Sequence, residues 1–404
     1  MDKPRKPRNT RWRTIRRYGL TLVGLFALVF GIGSLPVLIL YFWGGSTEAT
    51  SAIKGDQAGL QFTDEEVSFK NGDVTLAGTL RIPSIKGQRP AIVFIHGSGP
   101  QDRDFGTLTG LFARRGIAVL SYDKRGVGAS TGDFRQVPFY ELAGDALAGV
   151  RFLKTRKEID PDKIGVWGVS QGGWLGPLAA SESADIAFVI SVSGPGVSPK
   201  EQMLFYRGNQ LRDSGLSDQA VEEATELRRR MWDYFSTGEG QQVVRDEFER
   251  AKKKPWFSEL TSQGFPRTVP NAAGMSESEL RWYRQEMNYD PVAVLEKVSV
   301  PVLEIFGEED ELVPVEKSVE IMRQAFERSG NKDVTFKIFP GADHGITVFS
   351  RRGERQFAPG YVEAMIGWLE KRLDLRSAKI RKAHWLASNL RINLPSPIPD
   401  SGKP

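Results

Sequence analysis

Cysteine is absent from this chain of 404 residues, and histidine occurs only three times, as His96, His344 and His384. Without cysteine the chain has no disulfide, no zinc–thiolate site and no thiol nucleophile. The scarcity of histidine restricts the candidates for a catalytic base of that type to three positions. Hydrophobic residues, by contrast, make up 40% of the chain, which is enough for a sizeable buried core.

The excess of positive charge is confined to the two ends of the chain. Residues 1–17 hold eight Lys or Arg and one Asp, and residues 376–404 hold six and one. Since the whole chain has a formal net charge of +5, the remaining body carries −7. A nucleic-acid-binding protein is expected to present basic surface on its folded domain, so the sequence argues against a nucleic-acid partner.

A run of 26 uncharged residues, 18–43, follows the basic segment directly. As a helix rising 1.5 Å per residue it is about 39 Å long, enough to cross a hydrocarbon core of about 30 Å with some tilt. Aromatic residues lie at both ends of the run, as is typical of membrane interfaces. We therefore predict an uncleaved single-pass anchor in the cell (inner) membrane, with the arginine cluster in the cytoplasm and the rest of the chain on the outer side. A cleaved signal peptide is the alternative, although "EATSA" (48–52) is a poor cleavage site.

Short apolar runs alternate with helical patterns through most of the chain. The strand-like runs are 91–95, 117–122, 164–168, 186–194, 300–307 and 334–340, and a helix is predicted over 140–159. Continuous apolar strands separated by helices predict an α/β fold, with a mainly parallel sheet covered by helices on both faces. Asn71-Gly72 joins two alternating runs and predicts an antiparallel hairpin at one edge.

The alternation stops between residues 196 and 291, where the chain is charged, aromatic-rich and poor in strands. We predict a helical cap inserted between two halves of the sheet domain. The predicted organisation is a basic cytoplasmic segment (1–17), the transmembrane anchor (18–43), a tether (44–62), the first half of the core (63–195), the cap (196–291), the second half of the core (292–375) and a basic, proline-rich tail (376–404).

The stretch "KIGVWGVSQGGWLG" (163–176) sets Ser170 between glycines, at the point where a predicted strand meets a predicted helix. Asp310 in "IFGEEDELVP" and His344 in "FPGADHGIT" follow later strands in the same way. The carboxyl ends of parallel strands share one edge, where active sites assemble. Serine requires a base to remove its proton, and a carboxylate must orient that base. His344 is better placed for this role than His384 in the tail. Glu308, Glu309 and Asp343 remain rivals to Asp310.

This chain order of Ser170, Asp310 and His344 resembles the α/β-hydrolase superfamily, over roughly residues 65–375. "SYDKRGVGAS" (121–130) is similar to the family's D-x-R-G-x-G-x-S loop, and "HGSGPQDRD" (96–104) to the glycine-rich loop of bacterial carboxylesterases and serine-aminopeptidase-like hydrolases. The resemblance implies an α/β-hydrolase fold and an oxyanion hole from the backbone N–H groups of Ser98 and Gln171. It implies supporting roles for His96, Gly97 and Gly99 in that loop, and neither metal nor cofactor.

The sequence therefore predicts a membrane-anchored serine hydrolase that cleaves small-molecule carboxylic esters through an acyl-enzyme. An aminopeptidase or thioesterase is the alternative, and a catalytically inactive binding domain is a further one. An aminopeptidase requires an anionic patch for the substrate's amine, for which the cap offers Glu222, Glu223 and Glu226. Asp102, Arg103, Asp104 and Arg125 are expected to form a salt-bridged set between two loops. The oligomeric state does not follow from the sequence.

Overall fold

The computed structural model describes residues 60–135, 137–350, 353–373 and 375. The predicted anchor, most of the predicted tether and the predicted tail lie outside these residues and stay predictions. None of the helices within the described residues is both long enough and apolar enough to cross a membrane.

One eight-stranded sheet organises the described residues outside the helical segment. Its strands are β1 (Phe62–Asn71), β2 (Val74–Pro83), β3 (Arg89–Ile95), β4 (Ala118–Tyr122), β5 (Ile159–Val169), β6 (Val189–Val192), β7 (Val302–Gly307) and β8 (Val334–Phe339). Their spatial order is β1-β2-β4-β3-β5-β6-β7-β8. The pairs β1–β2 and β2–β4 are antiparallel, whereas β3 to β8 run parallel. The predicted mainly parallel sheet with an antiparallel hairpin is confirmed.

The described residues contain eleven α-helices. They are α1 (Thr107–Ala113), α2 (Phe139–Lys154), α3 (Gln171–Glu182), α4 (Pro199–Asp213), α5 (Asp218–Thr237), α6 (Gln241–Ala251), α7 (Phe257–Ser262), α8 (Glu277–Arg281), α9 (Pro291–Leu295), α10 (Val315–Ser329) and α11 (Tyr361–Arg372). A two-stranded sheet of β9 (Thr347–Phe349) and β10 (Arg355–Phe357) precedes α11. Alternate strand residues point to opposite faces, so one face packs on α2, α3 and α10, and the other on α1 and α11.

Two predicted boundaries were wrong. The helix expected over 140–159 ends at Lys154, and β5 already begins at Ile159. Residues 155–158 instead form the turn into β5, and Ile159 already pairs with Arg89 of β3. The strand expected over 186–194 pairs only from Val189 to Val192.

The parallel register brings several strand ends to one level. Val169 of β5 pairs with Val192 of β6, Val192 pairs with Ile305 of β7, and Gly307 of β7 pairs with Phe339 of β8. Each following loop therefore leaves the sheet at the same edge. Ser170, Asp310 and His344 lie in or directly after these exits.

Residues 203–287 form a second compact unit, with the described residues 60–202 and 288–375 forming the first. This helical unit contains most of α4 together with α5 to α8, a 3₁₀ turn (Ala272–Gly274) and a π-helical turn (Trp282–Glu286). Its core is rich in large aromatic side chains, among them Trp232, Tyr234, Phe235, Phe248 and Trp256. The predicted cap has wider bounds (196–291), and its position over a site stays a prediction.

Candidate active site

Ser170 occupies a strained turn between β5 and α3. Its backbone angles are φ 54° and ψ −114°, a region that residues with a Cβ rarely adopt. Two hydrogen bonds hold the turn: the Ser170 N–H donates to the Val192 carbonyl at 2.8 Å, and the Ser170 carbonyl accepts from the Gly173 N–H at 2.8 Å. The surrounding sheet and helix therefore fix the serine in a conformation that it would not choose alone.

The flanking glycines are required by close contact between backbone segments. A Cβ on Gly168 would lie 2.1 Å from the Gly172 carbonyl oxygen, and a Cβ on Gly172 would lie 2.6 Å from the Ile95 carbonyl oxygen. Neither distance is compatible with a side chain. The Gly-x-Ser-x-Gly spacing thus allows β5, α3 and β3 to approach one another around Ser170.

His344 and Asp310 lie in direct contact. His344 Nδ1 is 2.7 Å from Asp310 Oδ2, and both side chains are buried. Asp310 Oδ1 accepts hydrogen bonds from the backbone N–H groups of Leu312 (2.8 Å) and Val313 (3.0 Å). Since an ionised carboxylate only accepts, the contact favours the tautomer with the proton on Nδ1, in which Nε2 carries the lone pair that a base needs.

Electrostatics at His344 follow from the same contact. Burial disfavours the imidazolium, but the charge and hydrogen bond of Asp310, together with the charge of Asp343, outweigh it and raise the pKa of His344 above its usual value. Asp310 is therefore arranged to stabilise the imidazolium that forms when the ring accepts a proton.

The rival carboxylates have other partners. Asp343 Oδ1 accepts from the N–H groups of Gly345 and Thr347, and its Oδ2 pairs with Arg355 Nη2 at 2.7 Å. Glu308 Oε2 accepts from the Gly341 N–H, and Glu309 is exposed. Of the four acid candidates, Asp310 has the hydrogen bond to His344.

Ser193 is a residue that the sequence analysis missed. It follows β6 with φ 51°, and its hydroxyl donates to the His344 carbonyl at 2.8 Å. Because the neighbouring Val192 accepts from the Ser170 N–H, residues 192 and 193 connect the backbones of the serine and the histidine. A serine after a short apolar strand is a weak signal, and only the pairing of β6 between β5 and β7 reveals it.

The glycine-rich loop after β3 lies beside Ser170. A Cβ on Gly97 would be 3.5 Å from the Ser170 Cβ, Gly99 has φ 83°, and Ser98 is half-buried. His96 Nε2 lies 2.9 Å from the Asp102 carbonyl, and burial followed by the charge of Lys124 lowers the pKa of His96 to about 3. His96 is therefore a neutral ring that fastens the loop, not a base at neutral pH.

Lys124 is a second residue that the sequence analysis did not single out. It follows β4, is only 3% exposed, and its Nζ donates to the Gly97 carbonyl (2.8 Å) and to Gln171 Oε1 (2.8 Å). Burial lowers its pKa to about 7, although Asp145 raises it. Lys124 thus joins the glycine-rich loop to the first residue of α3. A lysine two residues after a buried strand was the available signal.

The predicted salt-bridged set was wrong in its pairing. Arg103 pairs with Asp123, and Arg125 pairs with Asp145 at 2.6 Å. Asp102 and Asp104 instead accept from the backbone N–H groups of residues 104 and 106. Asp123 lies in the loop after β4 and Asp145 lies on α2. Only the tertiary fold brings these carboxylates close to the two arginines.

Two of the three cap carboxylates are matched by cations. Glu223 pairs with Lys254 at 3.0 Å and accepts from Trp256 Nε1, and Glu226 pairs with Arg230 at 2.9 Å. Glu222 is exposed. Across the described ranges, moreover, no group of three or more acidic or histidine side chains is arranged to hold a metal ion.

Comparison with known proteins identifies the class to which this fold and this site belong. The sequence profile of the alpha/beta hydrolase family matches residues 92–358, which is more than half of the chain. The chain therefore belongs to the α/β hydrolase family, and the predicted hydrolase class is confirmed.

Among individual relatives, the chain is 27% identical to esterase EstD of Thermotoga maritima over 334 residues, which cover 79% of this chain and 71% of that protein. It is 35% identical to thiohydrolase aneE of Aspergillus aculeatus over 133 residues, covering 32% of this chain and 41% of that one. Among solved structures, it is similar to an esterase of Pyrococcus furiosus at 17% identity, with 78% of this chain and 92% of that chain covered and a TM-score of 0.47.

Proposed function

We propose that this protein is a carboxylesterase in which Ser170 is the nucleophile, His344 the general base and Asp310 the orienting acid. The observation that carries the proposal is the 2.7 Å contact between His344 Nδ1 and an Asp310 carboxylate that two backbone N–H groups hold in place. It occurs at the sheet edge where the strained turn presents Ser170. The relation to a T. maritima esterase over most of the chain supports the ester substrate.

The proposed reaction has two halves. His344 Nε2 removes the proton of Ser170 Oγ as that oxygen attacks the ester carbonyl, and the backbone N–H groups of Ser98 and Gln171 stabilise the oxyanion. The tetrahedral intermediate expels the alcohol, which takes the proton from His344, and an acyl-Ser170 remains. Water then loses a proton to His344 and attacks the acyl group, releasing the carboxylic acid and restoring Ser170.

The aminopeptidase alternative has less support. Glu223 and Glu226, which would recognise a substrate amine, are already neutralised by Lys254 and Arg230. A thioesterase shares every step of the proposed reaction, and a third of the chain is similar to a thiohydrolase. Oxygen esters are preferred here because the relation to the esterase spans far more of the chain.

The test uses the purified full-length chain with a fluorophosphonate label and a substrate panel. We expect covalent labelling that Ser170→Ala abolishes while the variant remains folded by circular dichroism. We also expect kcat/KM for nitrophenyl acetate to octanoate at least about a hundredfold above that for aminoacyl nitroanilides, with matched thioesters between them. Labelling that persists in folded Ser170→Ala would overturn the nucleophile.

Esters are intrinsically easier to cleave than amides, so a second comparison is needed. The same aminoacyl anilide is offered with a free and with an acetyl-blocked amine. A strong preference for the free amine that Glu222→Gln, Glu223→Gln or Glu226→Gln removes would replace the esterase by an aminopeptidase. Glu249→Gln, at an exposed position on α6, is the control.

We further propose that residues 18–43 anchor the enzyme in the inner membrane, with the catalytic domain outside. The support is the uncharged run behind eight cationic residues. An alkaline phosphatase fused after residue 375 is expected to be active in cells, and alkaline extraction should leave the chain in the membrane pellet. An inactive fusion, or a mature chain that begins near residue 52, would contradict the anchor.

A further inference from the structure

Two arginines of the helical unit, buried Arg228 and half-buried Arg207, have no carboxylate partner among the described residues. Arg228 on α5 is only 5% exposed, and its Nε and Nη2 atoms are buried with no hydrogen-bond partner. Arg207 on α4 is half-buried; its Nη1 donates to Gln210 Oε1 at 2.9 Å, but its buried Nε has no partner. Buried Arg125, by contrast, pairs with Asp145 through two hydrogen bonds. Buried Arg89 of the sheet domain has no carboxylate salt bridge but donates to three backbone carbonyls, those of Pro83, Ile85 and Gly87.

The two arginines lie on helices α4 and α5, which are in contact with each other at Gly208. Gly208, next to Arg207, lies against α5, since a Cβ there would be 3.7 Å from both Val221 Cγ1 and Thr225 Oγ1. Thr225 is one helical turn before Arg228, on the same face, and its buried hydroxyl also has no partner. After burial, the charge of Arg207 is the next cause that lowers the pKa of Arg228, to about 9. Four buried polar atoms without a hydrogen-bond partner (Arg207 Nε, Thr225 Oγ1, Arg228 Nε and Arg228 Nη2) therefore lie on two helices that are in contact.

Aromatic rings surround the pair without neutralising it. The Arg228 guanidinium carbon lies 5.1 Å from the ring centre of Phe265 and 5.8 Å from that of Trp232, and the Arg207 carbon lies 5.4 Å from that of Tyr206. Such rings fix the guanidinium planes, but their attraction is weaker than the penalty for burying two like charges. An anion beside these guanidinium groups would offset their charge and accept from their unpaired N–H groups.

We propose that Arg207, Thr225 and Arg228 form a binding site for a carboxylate or phosphate group of an organic ligand. Guanidinium groups present several N–H donors in a planar fork, which matches anions with two or three oxygen acceptors. The threonine hydroxyl adds a further donor, and the half-buried Arg207 gives the site its access to solvent. The anionic group belongs either to the substrate that is hydrolysed or to a separate effector.

Anion binding is measured on the full-length chain with inorganic phosphate and with succinate, by calorimetric titration and by thermal unfolding, against sodium chloride of equal ionic strength. We expect either anion to bind and to raise the unfolding temperature. Arg228→Met and Arg207→Gln should each weaken binding by at least about tenfold. Arg230→Met is the matched control, because Arg230 also lies on α5 but is exposed and paired with Glu226 and Glu247, and it should bind like the parent.

If Arg228 only stabilised the fold, Arg228→Met would be less stable than the parent. The proposal predicts the reverse. Because the proposed site buries an unneutralised charge, Arg228→Met without added anion should be at least as stable as the parent. Should Arg228→Met fail to fold, Arg207→Gln and Arg228→Lys carry the same binding test. Binding that is absent above the chloride control, or equal in Arg207→Gln and the parent, would overturn the proposal.

The source of the anion is distinguished with two esters of equal length. Nitrophenyl hydrogen succinate carries a terminal carboxylate, and nitrophenyl methyl succinate does not. A lower KM for the charged ester than for the neutral ester, with a difference that Arg228→Met removes and Arg230→Met keeps, assigns the site to the substrate. Anion binding that Arg228→Met removes, without any change in the preference between the esters, assigns it to an effector. The binding measurements need no esterase activity, so they stand even if the proposed function fails.

Discussion

The substitution Asp310→Asn separates the orienting acid from its neighbour Asp343. Asparagine retains an oxygen that can accept from the Leu312 and Val313 N–H groups, so the loop should keep its shape. Its amide nitrogen, however, would replace the oxygen that now lies 2.7 Å from His344 Nδ1. Because that nitrogen donates, the ring is driven to carry its proton on Nε2, where it can no longer accept one from Ser170.

The magnitude follows from the loss of the reactive tautomer. A tautomer change of this kind lowers kcat by about 10⁴ in a serine protease. At about 1.36 kcal/mol for each factor of ten, that corresponds to about 5.4 kcal/mol of transition-state stabilisation. Asp343→Asn is the matched control: it weakens the contact to Arg355 and is expected to change kcat by less than about tenfold. Steady-state hydrolysis of nitrophenyl acetate measures both.

The pH profile provides a second measurement on the same variants. The base must be neutral, so activity rises with pH through the pKa of His344, which Asp310 raises. Without the charge of Asp310, burial dominates and favours the neutral ring, so the acid limb of the residual activity should move to lower pH. If Asp343→Asn lowers kcat more than Asp310→Asn, or if the acid limb of Asp310→Asn stays in place, the assignment of the acid is refuted.

Three further substitutions test the surroundings of Ser170 and the core of the sheet. Ser170→Gly should be more stable than Ser170→Ala by about 1 kcal/mol in urea unfolding, because glycine relieves the positive φ; equal stabilities would show that the turn stores no strain. Lys124→Met should lower kcat by about tenfold to a hundredfold with little change in KM, because Gly97 and Gln171 lose their shared donor. Because burial lowers the pKa of Lys124 to about 7, Lys124→Met should also remove any fall in kcat that begins near pH 7. An unchanged kcat would mean that the loop holds its shape without the lysine. Glu304→Leu should stabilise the protein by about 2 kcal/mol at neutral pH, since this side chain is fully buried and its oxygens have no hydrogen-bond partner. Burial raises the pKa of Glu304 to about 8, so folding takes up a proton and the gain should grow as pH rises from about 5 to 8; a pH-independent difference contradicts this.

The sequence by itself determined the layer architecture and the chain positions of the candidate site. Continuous apolar runs such as 91–95 and 164–168 have no polar face, which favours strands covered on both sides. Gly168 and Gly172 predicted the tight turn around Ser170, because glycine is required on both sides of the serine where backbone segments approach closely. Local chemistry of this kind does not depend on distant partners.

The tertiary structure decided which side chains meet. Asp310 and Asp343 are both plausible partners for His344 in sequence, and the choice depends on how two loops fold back at the ends of β7 and β8. The partner of Arg125 lies on α2 in the same way, and Lys124 gains its role only because β4 lies beside β3. Such contacts join residues that are far apart in the chain. Hydrophobic periodicity fixes which face of an element is buried but not which polar groups of different elements become neighbours, and that is settled only when the sheet is assembled.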